Sequence, residues 1–396
     1  MCFSQDRVIC INKNRATHFG LSSPNDVFLI NMLRDLAIKG LDYRLHSHLK
    51  YIDIGKYEAR LRSELSDIID IGFASHFIVA HEVVDWARKQ SIAVGAGYGS
   101  FSGSLVAWAL GITSIDPLSY GLLFERFLNK MRKSQPVINI LFSFLRFSEI
   151  VNHMSEIYGV DAISVLTQSE IFINDCIAIY TFPCPHLDIV SKLLQKYEKL
   201  AFDDQETWEF LAQGATNDIY LAQMPEFCDS LKKVQPSNLE DLSVLLALYR
   251  PLPIAHGVLE TFIRNAKSKV AFEGLHDCVQ ASLQQTRGVL VYQEQIMAIA
   301  HEMASYTMCE ADLLWRELAR KKSVEVARHR EIFIYRAIKN GIPLSTAQET
   351  YAMLENGAQY CFNHSHSLVE AMLLYQTAWC KVHKREAYDA EYGKIF

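Results

Sequence analysis

The sequence predicts an α+β fold in which amphipathic helices accompany short, buried strands. Apolar and charged residues alternate at helical spacing over Tyr57–Ile71, which predicts a half-buried helix. Ile92–Val94 is short and β-branched and leads into a glycine-rich loop, which indicates a strand that ends there. The run V-I-N-I-L-F from Val137 to Phe142 is almost entirely apolar and predicts a buried strand. Helices and strands therefore share the first half of the chain, as they do in α+β domains.

Weaker patterns place the other elements of the first half. A proline-containing turn before Asp26 suits the start of a helix, and Val27–Gly40 then shows the apolar spacing of a packed support helix. Phe77–Trp86 fits either a strand or the start of a helix. Leu105–Leu110 predicts an apolar helix. Met1–Ser23 shows no regular pattern and is predicted to be irregular, without a role.

Length and composition limit the class of protein. Half of the 396 residues are apolar, which is enough for one large core or two domains. The net charge of −6 is unlike that of a dedicated nucleic-acid binder, although a local basic groove remains open. Nine cysteines without C-x-x-C spacing predict reduced thiols and no zinc site. No apolar run reaches the roughly 18 residues of a membrane span, so a cytoplasmic protein is expected.

A glycine- and serine-rich loop is the strongest candidate for a binding site. Four glycines and three serines occur between Gly95 and Leu105, directly before the apolar helix. Glycines let a ligand approach the backbone closely, and free N–H groups at a helix N-terminus favour an anion. The candidate phosphate-binding residues are Gly97, Gly99, Ser100, Gly103 and Ser104. An ordinary turn has the same composition, so that alternative stays open.

Several segments, taken together and in this order, carry a family resemblance. They include F-E-R-F-L-N after the loop, then L-Y-R-P-L-P, V-Y-Q-E-Q-I-M-A-I-A, and F-N-H-S-H-S near the C-terminus. From about Asp26 onwards the chain resembles the bacterial DNA polymerase III alpha subunit, the C-family replicative DNA polymerase. The resemblance implies a polymerase-beta-like nucleotidyltransferase palm, helical fingers, and DNA-directed DNA synthesis with magnesium ions.

The resemblance also implies a domain plan. It divides the chain into an N-terminal extension with a support helix, the first part of the palm, a reduced thumb with the second part of the palm, and partial helical fingers, at residues 1–50, 51–175, 176–265 and 266–396. Too few residues lie between the two parts of the palm for a family thumb, so we expect the thumb to be largely deleted. A truncated chain is expected, because neither the family's leading phosphoesterase-type domain nor its clamp-binding tail is recognisable.

The family's metal-binding motif has lost its charges in this sequence. Where the family has P-D-x-D-x-D-F, this chain places Val137, Asn139 and Leu141 at the three acidic positions. Glu260 takes the place of the family's third metal aspartate and is a weak candidate ligand. Two-metal phosphoryl transfer needs anionic oxygens, and valine has no ligand atom. A loss of about a millionfold in rate is therefore expected. The resemblance implies Mg²⁺ as the cofactor of the family, and no cofactor is expected for this chain.

Other charged positions of the family are also replaced. Tyr98 stands at the arginine of the glycine loop, and Trp315 and His364 stand at basic positions of the fingers. Asn363, Ser365 and His366 match the family's F-N-K-S-H motif, and Arg316, Arg320, Lys321 and Lys322 match a basic segment that meets the nucleotide's phosphates. A solvated helix end explains the basic segment equally well. No acid partner for the histidine of S-H is apparent, so a structural histidine is predicted.

The sequence leaves three functional hypotheses. The first is an inactive relative of the polymerase that binds DNA and nucleoside triphosphate weakly, or that associates with replication or repair proteins, with no membrane partner. The second is an active nucleotidyltransferase whose metal site is rebuilt from Asp116, Glu125 or Glu260. The third is a purely structural interaction protein. Salt-dependent binding to primed DNA would separate the first from the third.

Overall fold

The computed structural model of the chain describes residues 7–12, 26–48, 53–132, 134–167, 176–194, 200–267, 275–321 and 323–396. The chain divides into two units: Met1–Lys199 with Trp379–Phe396, and Leu200–Ala378. The first unit holds a small mixed sheet with helices, and the described part of the second unit is helical. The predicted α+β class is confirmed at this level. The four-part division of the chain at residues 50, 175 and 265 stays a prediction.

The sheet of the first unit contains β1 (Arg7–Asn12), β2 (Ile138–Ser143), β3 (Ile163–Thr167) and β4 (Cys176–Cys184) in the order β2-β4-β1-β3. β1 runs antiparallel to both β3 and β4, and β2 runs parallel to β4. The register places Asn139 opposite Tyr180 and Leu141 opposite Phe182. Side chains alternate between the two faces of a strand, so these four share one face. The predicted buried strand at 137–142 is therefore confirmed, with its start at Ile138.

The first strand corrects a prediction. Met1–Ser23 was expected to be irregular, but Arg7–Asn12 is an inner strand of the sheet, and Ile9, Cys10 and Ile11 are buried. A continuous apolar run is typical of a strand that is covered on both faces, and a run this short has no diagnostic period. Its hydrogen-bonding partners lie more than 150 residues later in the chain, so local sequence did not reveal the pairing.

Helices accompany the sheet in the first unit and form the described part of the second unit. In the first unit they are α1 (Val27–His48), α2 (Ile54–Asp70), α3 (Ala74–Lys89), α4 (Leu105–Ala109), α5 (Phe124–Phe127), α6 (Phe147–Tyr158) and α7 (Pro185–Leu193). The helices of the second unit are α8 (Gln205–Ala212), α9 (Pro225–Val234), α10 (Leu239–Leu248), α11 (Pro251–Ala255), α12 (Val258–Lys267), α13 (Asp277–Leu283), α14 (Gln293–Ala304), α15 (Met308–Arg320), α16 (Ser323–Lys339), α17 (Leu344–Gly357) and most of α18 (His364–His383). The end of α18 and all of α19 (Arg385–Ile395) belong to the first unit. Within the described residues, none of these helices has the length and apolar character that a membrane crossing needs.

The structure settles several local predictions. The helices expected over Tyr57–Ile71 and Leu105–Leu110 are α2 and α4, and Phe77–Trp86 belongs entirely to α3. Asp26 directly precedes α1, and its carboxylate accepts the Phe28 N–H at 2.8 Å, as an N-cap does. The proline turn before it lies outside the described residues. Instead of a regular strand over 92–94, the structure has a single antiparallel bridge between Val94 and Phe142.

The core of the first unit forms on one face of β2. Ile138, Ile140 and Phe142 point into a cluster with residues of α1 and α3 such as Leu33 and Phe77. The opposite face of β2 contacts the glycine loop. Asn139 and Leu141, which stand at two acidic positions of the family's motif, are therefore on the loop side.

Candidate functional site

The positions that align with the family's first metal aspartates lie along β2. Val137 precedes the strand and is 43% exposed. Asn139 is half-buried and Leu141 is buried. Because alternate residues of a strand share a face, Asn139 and Leu141 both face the glycine loop. That these positions form a functional site stays a prediction, and the chemistry available there depends on what these side chains contact.

The glycine loop packs directly onto this face of the sheet. The Asn139 amide lies so close to Gly99 that any side chain on Gly99 would collide with it. A Cβ on Gly95 would lie 2.8 Å from the Leu141 Cβ, and the Gly95 N–H donates to the Leu141 carbonyl at 2.8 Å. The ring of Tyr98 lies 4.2 Å from that of Phe182, between ring centroids. These glycines are thus required by internal packing, whatever ligand the loop holds.

The donor set on this face does not fit a pair of magnesium ions. Magnesium prefers carboxylate and water oxygens, whereas Asn139 offers one neutral carbonyl oxygen and Leu141 offers none. Tyr180 and Phe182 on the neighbouring strand add aromatic rings. Across the described ranges, no group of three or more histidine, cysteine, aspartate or glutamate side chains is arranged to hold a metal.

The carboxylates suggested for a rebuilt site have other surroundings. Asp116 forms a turn, in which its carboxylate accepts the Leu118 N–H at 3.0 Å and the Ser119 hydroxyl at 2.7 Å. Its second oxygen also accepts the Tyr57 hydroxyl at 2.6 Å. Glu125 lies in the first turn of the short helix α5, and Glu260 is exposed in the first turn of α12. The contacts of Asp116 are those of a structural turn.

A buried glutamate occupies the helix N-terminus that follows the glycine loop. Glu64 of α2 accepts the Leu105 N–H at 3.0 Å, the Val106 N–H at 3.1 Å and the Ser104 hydroxyl at 2.8 Å. Ser104 in turn accepts the Ala107 N–H at 3.2 Å as the N-cap of α4. The N–H groups that a phosphate would use at this helix are therefore bound to an internal carboxylate.

An arginine completes this arrangement. Arg60 lies one turn before Glu64 on α2 and donates to its carboxylate at 2.6 Å. Arg60 also donates to the carbonyls of Gly103 and Leu122, at 3.2 and 3.3 Å. Burial raises the pKa of Glu64, while the charge of Arg60 and two backbone N–H groups act against that rise. Sequence reasoning missed both residues, although a charged i, i+4 pair on the buried stripe of α2 was a usable signal.

The basic residues proposed for the fingers are largely paired within their own helix. Arg316 donates to the buried carboxylate of Asp312 at 3.0 Å. Arg320 lies 3.9 Å from Glu317. Lys321 is the exposed residue that ends α15, in a left-handed conformation. Lys322 lies outside the described residues. A solvated helix end, the alternative reading of this segment, accounts for these contacts.

The F-N-x-S-H segment forms the start of α18. The Asn363 side-chain oxygen accepts the His366 N–H at 3.0 Å and the Ser365 hydroxyl at 2.8 Å, as an N-cap does. Its amide donates to Glu294 at 2.6 Å, and Glu294 also accepts the His364 N–H at 3.1 Å. Glu294 is the glutamate of Q-E-Q. A second helix N-terminus is thus bound to an internal carboxylate.

His366 has an acid partner, which corrects the sequence prediction. Its Nε2 lies 3.2 Å from the carboxylate of Glu370, one turn later on α18. Arg250 of R-P-L-P donates to the other oxygen of Glu370 at 3.1 Å and places its guanidinium 3.5 Å from the centroid of the Phe362 ring. The immediate sequence neighbours of His366 did not reveal this partner, because Glu370 lies one helical turn further along α18. The prediction of a hydrogen-bonded histidine is consistent with this geometry.

We predict that this pair makes stability depend on pH. Burial by itself would raise the pKa of Glu370, but His366 and Arg250 hold it below its ordinary value of 4.5. The stabilisation is therefore complete above pH 4.5 and is lost as the pH falls through the lower pKa of the folded state. Glu370→Gln should lose about 1.5–3 kcal/mol of unfolding free energy at pH 7 and show a flatter decline below pH 4.5.

Urea unfolding between pH 3 and 7 measures this effect. Glu349→Gln, which changes an exposed glutamate of the same unit, is the matched control and should follow the unmodified chain. Equal acid sensitivity of the Glu370 variant and the unmodified chain would contradict the assignment.

His364 replaces the lysine of the family's motif with a neutral ring. It is buried, and burial lowers its pKa to about 4. Its ring stacks on Tyr292 with 4.2 Å between ring centroids. The Tyr292 hydroxyl lies 2.9 Å from the Ser243 hydroxyl, within the same buried cluster. At neutral pH this position therefore contributes packing where the family has a positive charge.

Comparisons with known proteins identify the family to which this chain belongs. The family model described as the bacterial DNA polymerase III alpha NTPase domain matches residues 31–233. The model described as the bacterial DNA polymerase III alpha subunit finger domain matches residues 187–341. The chain belongs to the bacterial DNA polymerase III alpha family.

Individual relatives agree with this membership. The chain is 28% identical to DNA polymerase III subunit alpha of Pasteurella multocida and 26% identical to that of Escherichia coli K12, over 85% of this chain and 40% of each relative. It is 28% identical to the Thermus aquaticus protein of the same name, over 81% of this chain and 36% of the relative. The chain thus spans about 40% of the length of the relatives.

Proposed function

We propose that this chain is a non-catalytic member of the DNA polymerase III alpha family whose remaining role is binding. The observation that carries the proposal is the composition of the β2 face. Asn139 packs on Gly99, and Leu141 packs on Gly95, where the aligned family positions are acidic. Without these carboxylates, and with the loop packed on the strand, this face offers too few anionic oxygen ligands for two magnesium ions.

The expected size of the effect is large. Metal ions in two-metal sites stabilise both the attacking and the leaving oxygen, so their loss removes several kcal/mol of transition-state stabilisation. Each 1.36 kcal/mol corresponds to about a factor of ten, and a combined loss of about a millionfold is reasonable. Glu260 cannot compensate alone, because a two-metal centre needs several convergent carboxylates.

The palm and the reduced thumb are part of the same proposal. Support for a palm comes from the match of residues 31–233 to the family's NTPase domain. Support for an internal deletion comes from the alignment with the Pasteurella multocida relative, which extends over 467 positions. It includes 85% of the 396 residues of this chain, or about 337 residues. About 130 positions of the relative therefore have no counterpart in this chain. We assign this deletion to the thumb, which would weaken the grip on duplex DNA.

The remaining role that we propose is association with replication or repair proteins in the cytoplasm, with weak contacts to DNA or nucleoside triphosphate. A weak contact is favoured because Arg316 pairs with Asp312 and the two helix N-termini are bound to Glu64 and Glu294. The net charge of −6 supports the same view. Steep salt dependence of binding to primed DNA would indicate phosphate contacts.

Primer extension tests the loss of catalysis. Purified protein should give no template-dependent incorporation with Mg²⁺ or with Mn²⁺, while its circular dichroism shows a folded chain. The variant Val137→Asp/Asn139→Asp is a useful second measurement, because partial recovery of synthesis would place the defect at these positions. Template-dependent synthesis by the unmodified protein that Glu260→Ala abolishes would overturn the proposal in favour of a rebuilt metal site.

A further inference from the structure

Two arginines of the first unit converge on the turn that follows α4. Arg44, near the end of α1, donates to the Thr113 carbonyl at 3.1 Å. Arg88, in the last turn of α3, donates to the Gly111 carbonyl. Two helices that are far apart in sequence therefore bring two guanidinium groups to one three-residue turn.

The two charges are not neutralised by a carboxylate. Among the residues described by the structure, neither Arg44 nor Arg88 has a carboxylate oxygen within 4 Å. Asp116 and Asp85 attract Arg44 and Arg88 only from a longer distance, and both have direct partners elsewhere: Asp85 pairs with Lys89 at 2.6 Å, and Asp116 forms the turn with Ser119. Burial and, to a smaller extent, the charge of Arg44 lower the pKa of Arg88 to about 10, while Asp85 acts against this shift. An anion between the two groups would relieve this repulsion.

Gly111 leaves room for such an anion. Its φ of +75° is in the left-handed region, where glycine is favoured. Apart from its chain neighbours, a Cβ placed on Gly111 would have only two atoms within 4 Å: the Arg88 Nη1 at 3.4 Å and the Arg44 Nη2 at 3.9 Å. Both arginines and Gly111 are half-buried, so solvent reaches them. The open position is thus faced by two guanidinium nitrogens.

The chemistry of these groups selects the ligand. A guanidinium carries five N–H donors in a planar fork that matches the oxygens of a phosphate, and each arginine has one donor committed to a carbonyl of the turn. Two adjacent like charges repel each other, and an anion that joins them removes this cost. We infer that Arg44 and Arg88 form a binding site for a phosphate group above Gly111. Inorganic phosphate, a nucleotide and the DNA backbone share this chemistry.

Titration of the full chain with inorganic phosphate, followed by ³¹P NMR in chloride buffer, tests the site. Saturable binding is expected. Because a hydrogen bond to a charged group contributes about 1.5–3 kcal/mol, Arg44→Gln and Arg88→Gln should each weaken binding about tenfold or more. Arg34→Gln and Lys39→Gln, both at exposed positions of α1, each remove one positive charge and should leave binding unchanged. Equal weakening by the controls would overturn the inference.

Hydrogen exchange on the unmodified chain gives a test that does not depend on the folding of a variant. Phosphate should slow exchange at the amides of Gly111–Thr113. Saturable binding with protection confined to other segments, or no saturable binding, overturns the site.

Repeating the titration with dATP and with a single-stranded oligonucleotide distinguishes the possible sources of the phosphate group. Tighter, steeply salt-dependent binding of the oligonucleotide indicates the DNA backbone, and equal affinity for all three indicates a free phosphate group. The result is independent of primer extension, because no residue of β2 takes part.

Discussion

Glu64→Ala is expected to lose about 3–5 kcal/mol of unfolding free energy, the range found when one partner of a buried ion pair is removed. Glu64 is 1% exposed and joins α2 to the start of α4. Its removal leaves the N–H groups of Leu105 and Val106 without their acceptor and deprives Arg60 of its carboxylate. The helix start that follows the glycine loop would lose its main tertiary contact as well as a charge partner.

Urea unfolding of the purified variant measures this loss. Glu58→Ala is the matched control: Glu58 lies on the same helix, is 53% exposed, and approaches Arg62 at 3.6 Å. Exposed pairs of this kind contribute about 0–1 kcal/mol, so the control should remain close to the unmodified chain. A Glu64→Ala protein as stable as Glu58→Ala would contradict the role of Glu64 as the internal acceptor of this helix N-terminus.

Leu141→Asp is the second substitution with a large expected effect. Leu141 is 4% exposed and packs on Gly95, so an aspartate there would be a buried charge without a partner. The expected loss of unfolding free energy is at least about 3 kcal/mol. Val137→Asp also restores an acidic residue of the family's motif, but Val137 is 43% exposed, and a change within about 0.5 kcal/mol is expected.

The comparison of these two variants shows how far the β2 face has become part of the core. The stability of both variants is measured by urea unfolding without magnesium and with about 10 mM MgCl₂, which would saturate a magnesium site of ordinary affinity. We expect magnesium to leave the Leu141 variant unstable. A Leu141→Asp protein as stable as Val137→Asp, or one that magnesium restores fully, would show that the face still accommodates a charged centre.

Much of the first unit could be predicted from local sequence. The 3.6-residue spacing of α2 and the apolar run of β2 each specify one burial pattern, and both elements form where expected. Phe77–Trp86 was ambiguous because α3 is buried on most of its surface, so its periodicity is weak. β1 was missed for a related reason: Ile9–Ile11 is too short to show a period, and its pairing with Ile177–Ile179 depends on the tertiary fold.

The candidate site shows the same division between local and tertiary information. The family's motif was aligned with Val137 and Asn139, and the structure shows Asn139 in contact with Gly99 of the glycine loop. The carboxylates that organise the loop and the fingers motif, Glu64, Glu294 and Glu370, were not recognised. Glu64 lies on the amphipathic helix α2, whereas Glu294 and Glu370 lie on helices that are buried on most of their surface. In each case the partner is fixed only by packing or by the next helical turn. Sequence could identify the missing charges but not the carboxylates bound at the helix N-termini.

The central claim is that the β2 face and Glu260 do not hold a pair of divalent ions. A titration of the full chain with Mn²⁺, followed by electron paramagnetic resonance of the free ion, measures this most directly. We predict no saturable two-ion site, and the same residual binding in the unmodified chain and in Asn139→Ala and Glu260→Ala. Two Mn²⁺ ions bound per chain, and lost together in either variant, would contradict the account.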